Sequence, residues 1–533
     1  MKFKRILAVL LTAAICFAFT SCNKDDGSGY IFKYDISGNP RTLDPQSARD
    51  DSAILLIANI FEGLLKLDEN GDVEPAVAES YTVSEDGLTY KFTLREDVYW
   101  YDGRDFEEQC TAHDFVFALR RLFNPAAKST VASALFCIRN SQLINKGLVP
   151  VDQLGVTADS DFELTITLDY PNPLFPVLLT TAPAMPCSEK FFEKTEGRYG
   201  LSAETIASNG AFYVHSWNYD QWSNTNNNLI LRRNEKNPNT VYPYGLNFFI
   251  DEPNPKKDFT DGTIHSYVSS GDEAAELMKM GYDYTENDNA VWGILFNTKS
   301  IFADDNLRKA LMLDVSRQFD NATKGYAVTT SIIPRAISFV DSTYHELAGE
   351  TGVAPDPTLA KKYYEKALEK SGSTALTGLN LIAPDNSVVK DYASAIMQDW
   401  QADFSFYCNL KTMSNSEYQV ALESGNFDFA LVKLTGEYNS PSSYLKPFTV
   451  SGNMANYSSS AFSTLVSQAE KAISAEKSAE LYKKAEQTLL EDAVFIPICT
   501  QSEFVFFGKN CRDIIYNPFT KTMIYQNAKY IKD

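Results

Sequence analysis

Four stretches between residues 359 and 432 decide the fold class: LAKKYYEKALEK at 359–370, LNLIA at 379–383, CNLKT at 408–412 and FDFALV at 427–432. The first carries helical spacing from Leu359 to Lys370, and the other three read as strands (Leu379 to Ala383, Cys408 to Thr412, Phe427 to Val432). A helix buries one stripe and a strand one or both faces, so this alternation implies a sheet covered by helices, an α/β lobe. A second helical stretch follows from Phe462 to Leu490, and Val494-Phe495-Ile496 then reads as a short buried strand. Pro441, Pro447, Pro497 and Pro518 punctuate this last part of the chain.

Outward from there, Tyr90, Phe92 and Leu94 alternate with Lys91, Thr93 and Arg95 behind the turn Ser84-Glu85-Asp86-Gly87. Phe162, Leu164, Ile166 and Leu168 alternate in the same way, so each run predicts a strand with one buried face. Thr111 with Asp114 makes a capping-box-like start to a helix whose apolar stripe is Phe115, Ala118, Leu119 and Leu122. Ile54 to Leu65 has the spacing of a helix face, and Lys33 to Asp44 is strand-like. The chain of 533 residues is too long for one core, since single cores stop growing near roughly 250 to 300 residues, so two or three domains are expected.

Lys2, Lys4 and Arg5 precede an apolar run, Ile6 to Thr20, which is too short to span a bilayer and reads as a signal peptide over 1–21. Phe19-Thr20-Ser21-Cys22 resembles a bacterial lipoprotein site, with Cys22 as the lipidated first mature residue and a polar tether over 22–29. A formal net charge of -21 argues against nucleic acid as a partner. Cys110, Cys137, Cys187, Cys408, Cys499 and Cys511 would meet an oxidising compartment, where paired or free states both remain open, with Cys499 and Cys511 the nearest pair.

Catalytic and metal motifs do not emerge. His345-Glu346 lacks the second histidine of a zinc-protease helix, and His113, His215 and His265 are scattered. There is no phosphate loop, dinucleotide fingerprint or nucleophile elbow, so neither an enzyme nor a cofactor is expected. Paired carboxylates such as Asp50-Asp51 read as surface charge.

A family resemblance lies in the order of short landmarks: Thr42-Leu43-Asp44-Pro45, Phe61-Glu62-Gly63-Leu64, Pro75 to Ser80, Tyr101-Asp102-Gly103 and Thr111 to Phe115. Ser208-Asn209-Gly210-Ala211-Phe212, Leu295 to Thr298, Leu307 to Leu311 and Ala485-Glu486-Gln487 continue it to the ending Asn527 to Asp533. In that order they resemble the oligopeptide-binding proteins of bacterial ABC importers, extracellular solute-binding protein family 5. The resemblance implies a two-lobed periplasmic-binding-protein-like fold (type II, cluster C) with a hinge and an extra inserted subdomain. It places the main lobe at 30–72, 196–289 and 493–533, the insert at 73–195 and the second lobe at 290–492. It further implies a monomer anchored outside the cell membrane, handing peptides to permease and ATPase subunits.

The same resemblance supplies candidate site residues. Peptide-binding relatives carry Trp-x-Ala-Asp-Tyr, whose acid pairs with the peptide amino group; here the stretch is Leu434-Thr435-Gly436-Glu437-Tyr438. Glu437 therefore stands as the ammonium partner, Leu434 replaces the tryptophan, and Tyr438 completes the motif. Lys433 and Thr435 fall where the family's backbone pairs with the ligand as an added strand. Asp50, Asp51 and Ser52 fall where the main lobe of relatives supplies the opposite, strand-like edge. Three residues before Leu434 the family's well-known peptide binder has an arginine for the peptide carboxylate, and here Leu431 stands there. An oligosaccharide or other solute on the same scaffold is the alternative, the 29 Tyr and 5 Trp offering stacking faces, and a sensor or chaperone role is the third.

Overall fold

Two long strands, Asp283–Phe296 and Phe495–Phe507, run antiparallel through both lobes. The computed structural model describes residues 29–68, 71–222, 226–315, 325–339, 342–384, 389–436 and 438–531. At one end of the long pair, Ser266–Ser269 adds to Phe504–Phe507; at the other, Phe429–Thr435 adds to Ala290–Phe296. Leu379–Pro384 and Cys408–Met413 extend that second end in parallel, as the alternating apolar runs predict. Helices Pro357–Ser371, Lys390–Phe404, Ser460–Glu470 and Ala475–Glu491 send Tyr364, Trp400, Phe462 and Tyr482 into the core beside it. Burying such aromatic and aliphatic groups stabilises by roughly 1.5 to 3 kcal/mol each.

The other lobe assembles from distant chain. Ile31–Ile36 lies parallel to Gly245–Ile250, followed in the sheet by Asn228–Arg233 and Phe212–Asn218. A second four-stranded sheet, Ala78–Val83, Thr89–Leu94, Glu163–Thr167 and Val156–Ser160, shares the same apolar core. Tyr90, Phe92 and Leu94 point inward, as their alternation requires. Helix Ala112–Phe123 begins where the Asp114 carboxylate accepts the Thr111 N–H at 2.7 Å.

Several landmark residues are joints between segments. Asn209 is buried and exchanges hydrogen bonds with the Glu62 backbone at 3.0 and 2.8 Å. Glu486, fully buried, accepts from Ser331 Oγ, the Ile332 and Ile333 N–H groups and the Tyr344 hydroxyl at 2.7 to 3.2 Å. Arg121 joins Asp44 at 2.6 Å and lies over the Phe192 ring. Gly210 is required by close approach, since a Cβ there would sit 2.8 to 2.9 Å from backbone atoms of Ile60 and Phe61.

The structure corrects four readings of the sequence. The helix expected over Ile54 to Leu65 is Asp51–Ile60, because Phe61 turns extended and Leu65 begins a strand. Phe462 to Leu490 is two helices, broken at 471–474, where the Ser474 side chain caps the second by accepting the Lys477 N–H. The strand-like stretch Lys33 to Asp44 shortens to Ile31–Ile36, and Val494-Phe495-Ile496 opens a strand of 13 residues. The six described cysteines are free. Cys499 packs in the second lobe's core and Cys511 in the main lobe's, which keeps the nearest pair in sequence apart. Among the described residues no helix is long and apolar enough to cross a membrane.

Candidate functional site

The strand Phe429–Thr435 outruns its neighbour. Only Phe429 and Ala430 pair with Leu381 and Ile382, so from Leu431 to Thr435 that edge has no strand partner among the described residues. The opposite edge is fully paired, Lys433 with Trp292 and Thr435 with Ala290. Leu434 is buried against the lobe, Thr435 is exposed, and Lys433 is half-way between. Leu431 is wholly buried, and its carbonyl accepts the Tyr418 hydroxyl at 2.9 Å.

After Thr435 the chain folds back onto helix Pro441–Leu445. Gly436 permits this, because a Cβ there would come 2.5 Å from Ser443 Oγ and 2.8 Å from the Tyr444 ring. Tyr438 is half-buried and donates its hydroxyl to Ser442 Oγ at 3.1 Å. Glu437 lies outside the described residues, as does Cys22.

The main lobe faces this strand with a helix and a hairpin. Asp50, itself extended, caps helix Asp51–Ile60 by accepting the Ala53 N–H at 2.9 Å, so Asp51 and Ser52 are helical where a strand-like edge was expected. Asp51 is exposed and pairs with Lys521 at 3.4 Å, while Ser52 is buried. Lys521 sits in the turn of the hairpin Ile515–Asn517 and Thr522–Ile524, which Asn59 ties to the helix by donating to the Met523 carbonyl at 2.7 Å. A cavity of 390 Å³ opens between helix and hairpin, lined by Ile54, Ala58, Glu62, Asn517 and Thr520. A larger hollow of 600 Å³ lies at the far end of the second lobe's strands, around Asn380, Lys411 and Asp428.

The two lobes meet through charge. Lys433 Nζ stands 4.0 Å from Glu503, which also accepts the Tyr516 hydroxyl at 3.3 Å. Burial lowers the Lys433 ammonium's pKa and Lys521 lowers it further, while Glu503 works the other way. Burial above all, then Glu503, raises the Tyr516 hydroxyl far beyond its usual range. Farther along the chain Lys471 lies over the Tyr170 ring at 5.0 Å, and Leu174 packs into the second lobe's core. Sequence reasoning missed Glu503, Tyr516 and Lys521; each is an ordinary polar residue locally and gains its meaning from Lys433 across the cleft.

Among the described residues no cluster of histidine, cysteine and carboxylate is placed to hold a metal ion. His345 instead places Nε2 2.9 Å from the Ile333 carbonyl. Two lobes joined by paired strands, with an open strand edge between them, define the class of bilobal solute-binding proteins. The chain belongs to the bacterial extracellular solute-binding proteins, family 5, whose middle region matches residues 72–456. It is a binding protein, not an enzyme.

The chain is 27% identical over 532 residues to the dipeptide-binding protein of Lactococcus lactis subsp. cremoris, covering 94% of this chain and 95% of that protein. It is also 27% identical to the probable deoxycholate-binding periplasmic protein YgiS of Escherichia coli, covering 99% and 98%. The solved Haemophilus influenzae OppA, in complex with RPPGFSPFR, superposes with a TM-score of 0.73 at 24% identity, covering 95% of this chain and all of that one (100%). At that identity the likeness speaks for the fold.

Proposed function

We propose that this protein captures oligopeptides in the cleft between its lobes and delivers them to the permease and ATPase subunits of an ABC importer. The observation that carries this reading is the edge of the strand from Leu431 to Thr435, which has no strand partner among the described residues, beside the main-lobe charges. An extended peptide can add to such an edge through its main chain, which accepts many sequences because side chains take no part in the pairing. In this reading Lys433 and Thr435 offer backbone groups, and Leu434 and Tyr438 shape the wall. Asp51 and Ser52 border the entrance from the main lobe, with Asp50 fixing their helix. Glu437 takes the peptide's amino group.

The lobe boundaries 30–72, 196–289 and 493–533 (main), 73–195 (insert) and 290–492 (second) belong to the same reading. So do a monomeric state and a diacyl anchor on Cys22 that holds the protein outside the cell membrane. A non-peptide solute is the second reading, favoured by the burial of Leu431 where the family's peptide binder has an arginine.

Calorimetry with free and N-acetylated forms of a bound peptide separates the two. Glu437→Gln is expected to weaken the free amine by about 2 to 5 kcal/mol and to leave the acetylated form nearly unchanged. Equal affinity of both forms for the unaltered protein, untouched by the substitution, would favour the second reading.

A further inference from the structure

Glu62 is 8% exposed, and both oxygens of its carboxyl are buried with no hydrogen-bond partner among the described residues. A buried carboxyl in that state costs free energy that a donor would recover. Its backbone is already engaged, since Asn209 takes both the N–H and the carbonyl. The cations that act on it are paired elsewhere, Lys66 with Glu74 at 3.4 Å and Arg95 with Asp97 at 3.0 Å.

Glu62 lines the cavity of 390 Å³ between helix and hairpin, which lies in the size range of small-molecule sites. Every lining residue comes from 54–74, 180–185, 210–211 or 515–527 and none from 290–492. The cavity is therefore separate from the open strand edge of Leu431 to Thr435. Ile54, Ile57, Phe61 and Met185 give it an apolar wall. Its charged lining is Glu62, Asp68 and Glu74 against Lys66, three acids to one base, which repels an anion and attracts a cation. One buried carboxyl among apolar neighbours does not make a metal site, and the described residues hold no cluster that would. It suits an ammonium carried on a hydrocarbon body, whose N–H groups give the carboxyl oxygens charge-assisted partners.

We propose that this cavity is a second ligand site, in which Glu62 holds the ammonium of a small apolar primary amine while Ile54, Ile57, Phe61 and Met185 take its hydrocarbon part. The site is independent of the peptide reading above. Burial raises the Glu62 pKa, with Lys66 and Arg95 opposing and Asp97 and Glu74 adding to the rise. An ammonium seated beside the carboxyl favours its charged form.

The test is calorimetry on the full mature chain with benzylamine, and with benzyl alcohol as its uncharged counterpart. Benzylamine is expected to fill one site, and benzyl alcohol to bind at least about tenfold more weakly. Glu62→Gln keeps the shape and should weaken benzylamine about tenfold while leaving the alcohol unchanged. Ala58→Leu narrows the cavity without altering its charge and should abolish benzylamine binding, and it decides the matter if Glu62→Gln fails to fold. Glu437→Gln should leave benzylamine binding as it is, because that residue belongs to the interlobe cleft in the peptide reading. Absence of saturable benzylamine binding, equal affinity for the alcohol, or binding that survives Glu62→Gln and Ala58→Leu overturns the site and leaves the peptide reading intact.

Discussion

The strand Asp283–Phe296 has two halves that live in different surroundings. Residues 283–286 are exposed and pair only with 504–507, on the outside of the main lobe. From Asn289 to Phe296 every residue is buried, and from Ala290 on the strand lies between Phe429–Thr435 on one side and Phe495–Gln501 on the other. Between them the register slips at Asn289, a bulge that leaves one residue unpaired and bends the strand. Asn289 is buried there, donating to the Pro518 carbonyl at 2.9 Å in the main lobe and accepting the Tyr444 hydroxyl at 2.6 Å from the second. The difference shows how one strand can lie in the core of one lobe and along the surface of the other: burial changes at a bulge that is hydrogen-bonded from both sides.

The largest effect should come from the buried half. Gly293→Val places a Cβ 2.3 Å from the Phe495 ring and 2.4 Å from the Ile496 carbonyl, where the backbone cannot give way. We expect a loss of about 3 kcal/mol by urea unfolding. A loss under about 0.5 kcal/mol would break the contrast between the halves.

A second effect of about 2 to 3 kcal/mol depends on pH and lies at the main-lobe end. His265 is 7% exposed, accepts the Lys33 N–H through Nδ1 at 2.9 Å, and so presents Nε2–H to the Tyr30 hydroxyl at 2.8 Å. Burial, with Lys33 adding to it, lowers its pKa to about 4, below the ~6.5 of an unfolded histidine. The unfolded chain thus takes up the proton first, and the stability that neutral His265 gives above pH ~6.5 is lost as pH falls toward ~4. Against His265→Gln, the advantage of the unaltered protein should shrink by that amount between the two pH values in thermal unfolding. A constant difference would mean that His265 contributes only shape.

Smaller still, Asn289→Ala should cost about 1 to 2 kcal/mol by removing the donor to Pro518. It should also enlarge the radius of gyration seen by small-angle scattering, since one pin between the lobes is gone. Unchanged scattering would move the hinge elsewhere. Glu286→Lys, on the exposed half, should stay within about 0.5 kcal/mol of the unaltered protein in the same urea experiment. A larger cost would show that this half is not the loosely packed one.

Much of the fold follows from local pattern. Alternation in Thr89–Leu94 and Glu163–Thr167, the capped helix at Ala112, the helix Pro357–Ser371 and the strands Leu379–Pro384 and Cys408–Met413 form where residue spacing puts them. The order of family landmarks carries the rest of the classification, and among those landmarks Asn209 and Glu486 are buried joints between distant segments. The errors fall where side-chain period loses its meaning. The polar run Gln501-Ser502-Glu503 hides the length of the crossing strand, because Gln501 and Ser502 are buried and Glu503 half-buried between lobes and not beneath one sheet face.

Sequence by itself determined that this chain is an α/β protein, and the order of its short landmarks pointed to the family. Both are properties of residues near one another along the chain, or of their order. The tertiary structure decided that Lys433 meets Glu503, that Tyr516 joins Glu503, that Asp50 is a helix cap, and that the strand beyond Ala430 has no further strand partner on that edge among the described residues. These facts depend on segments far apart in the chain arriving at one cleft. Charge interaction and strand pairing are set by distance in space, which local periodicity does not encode.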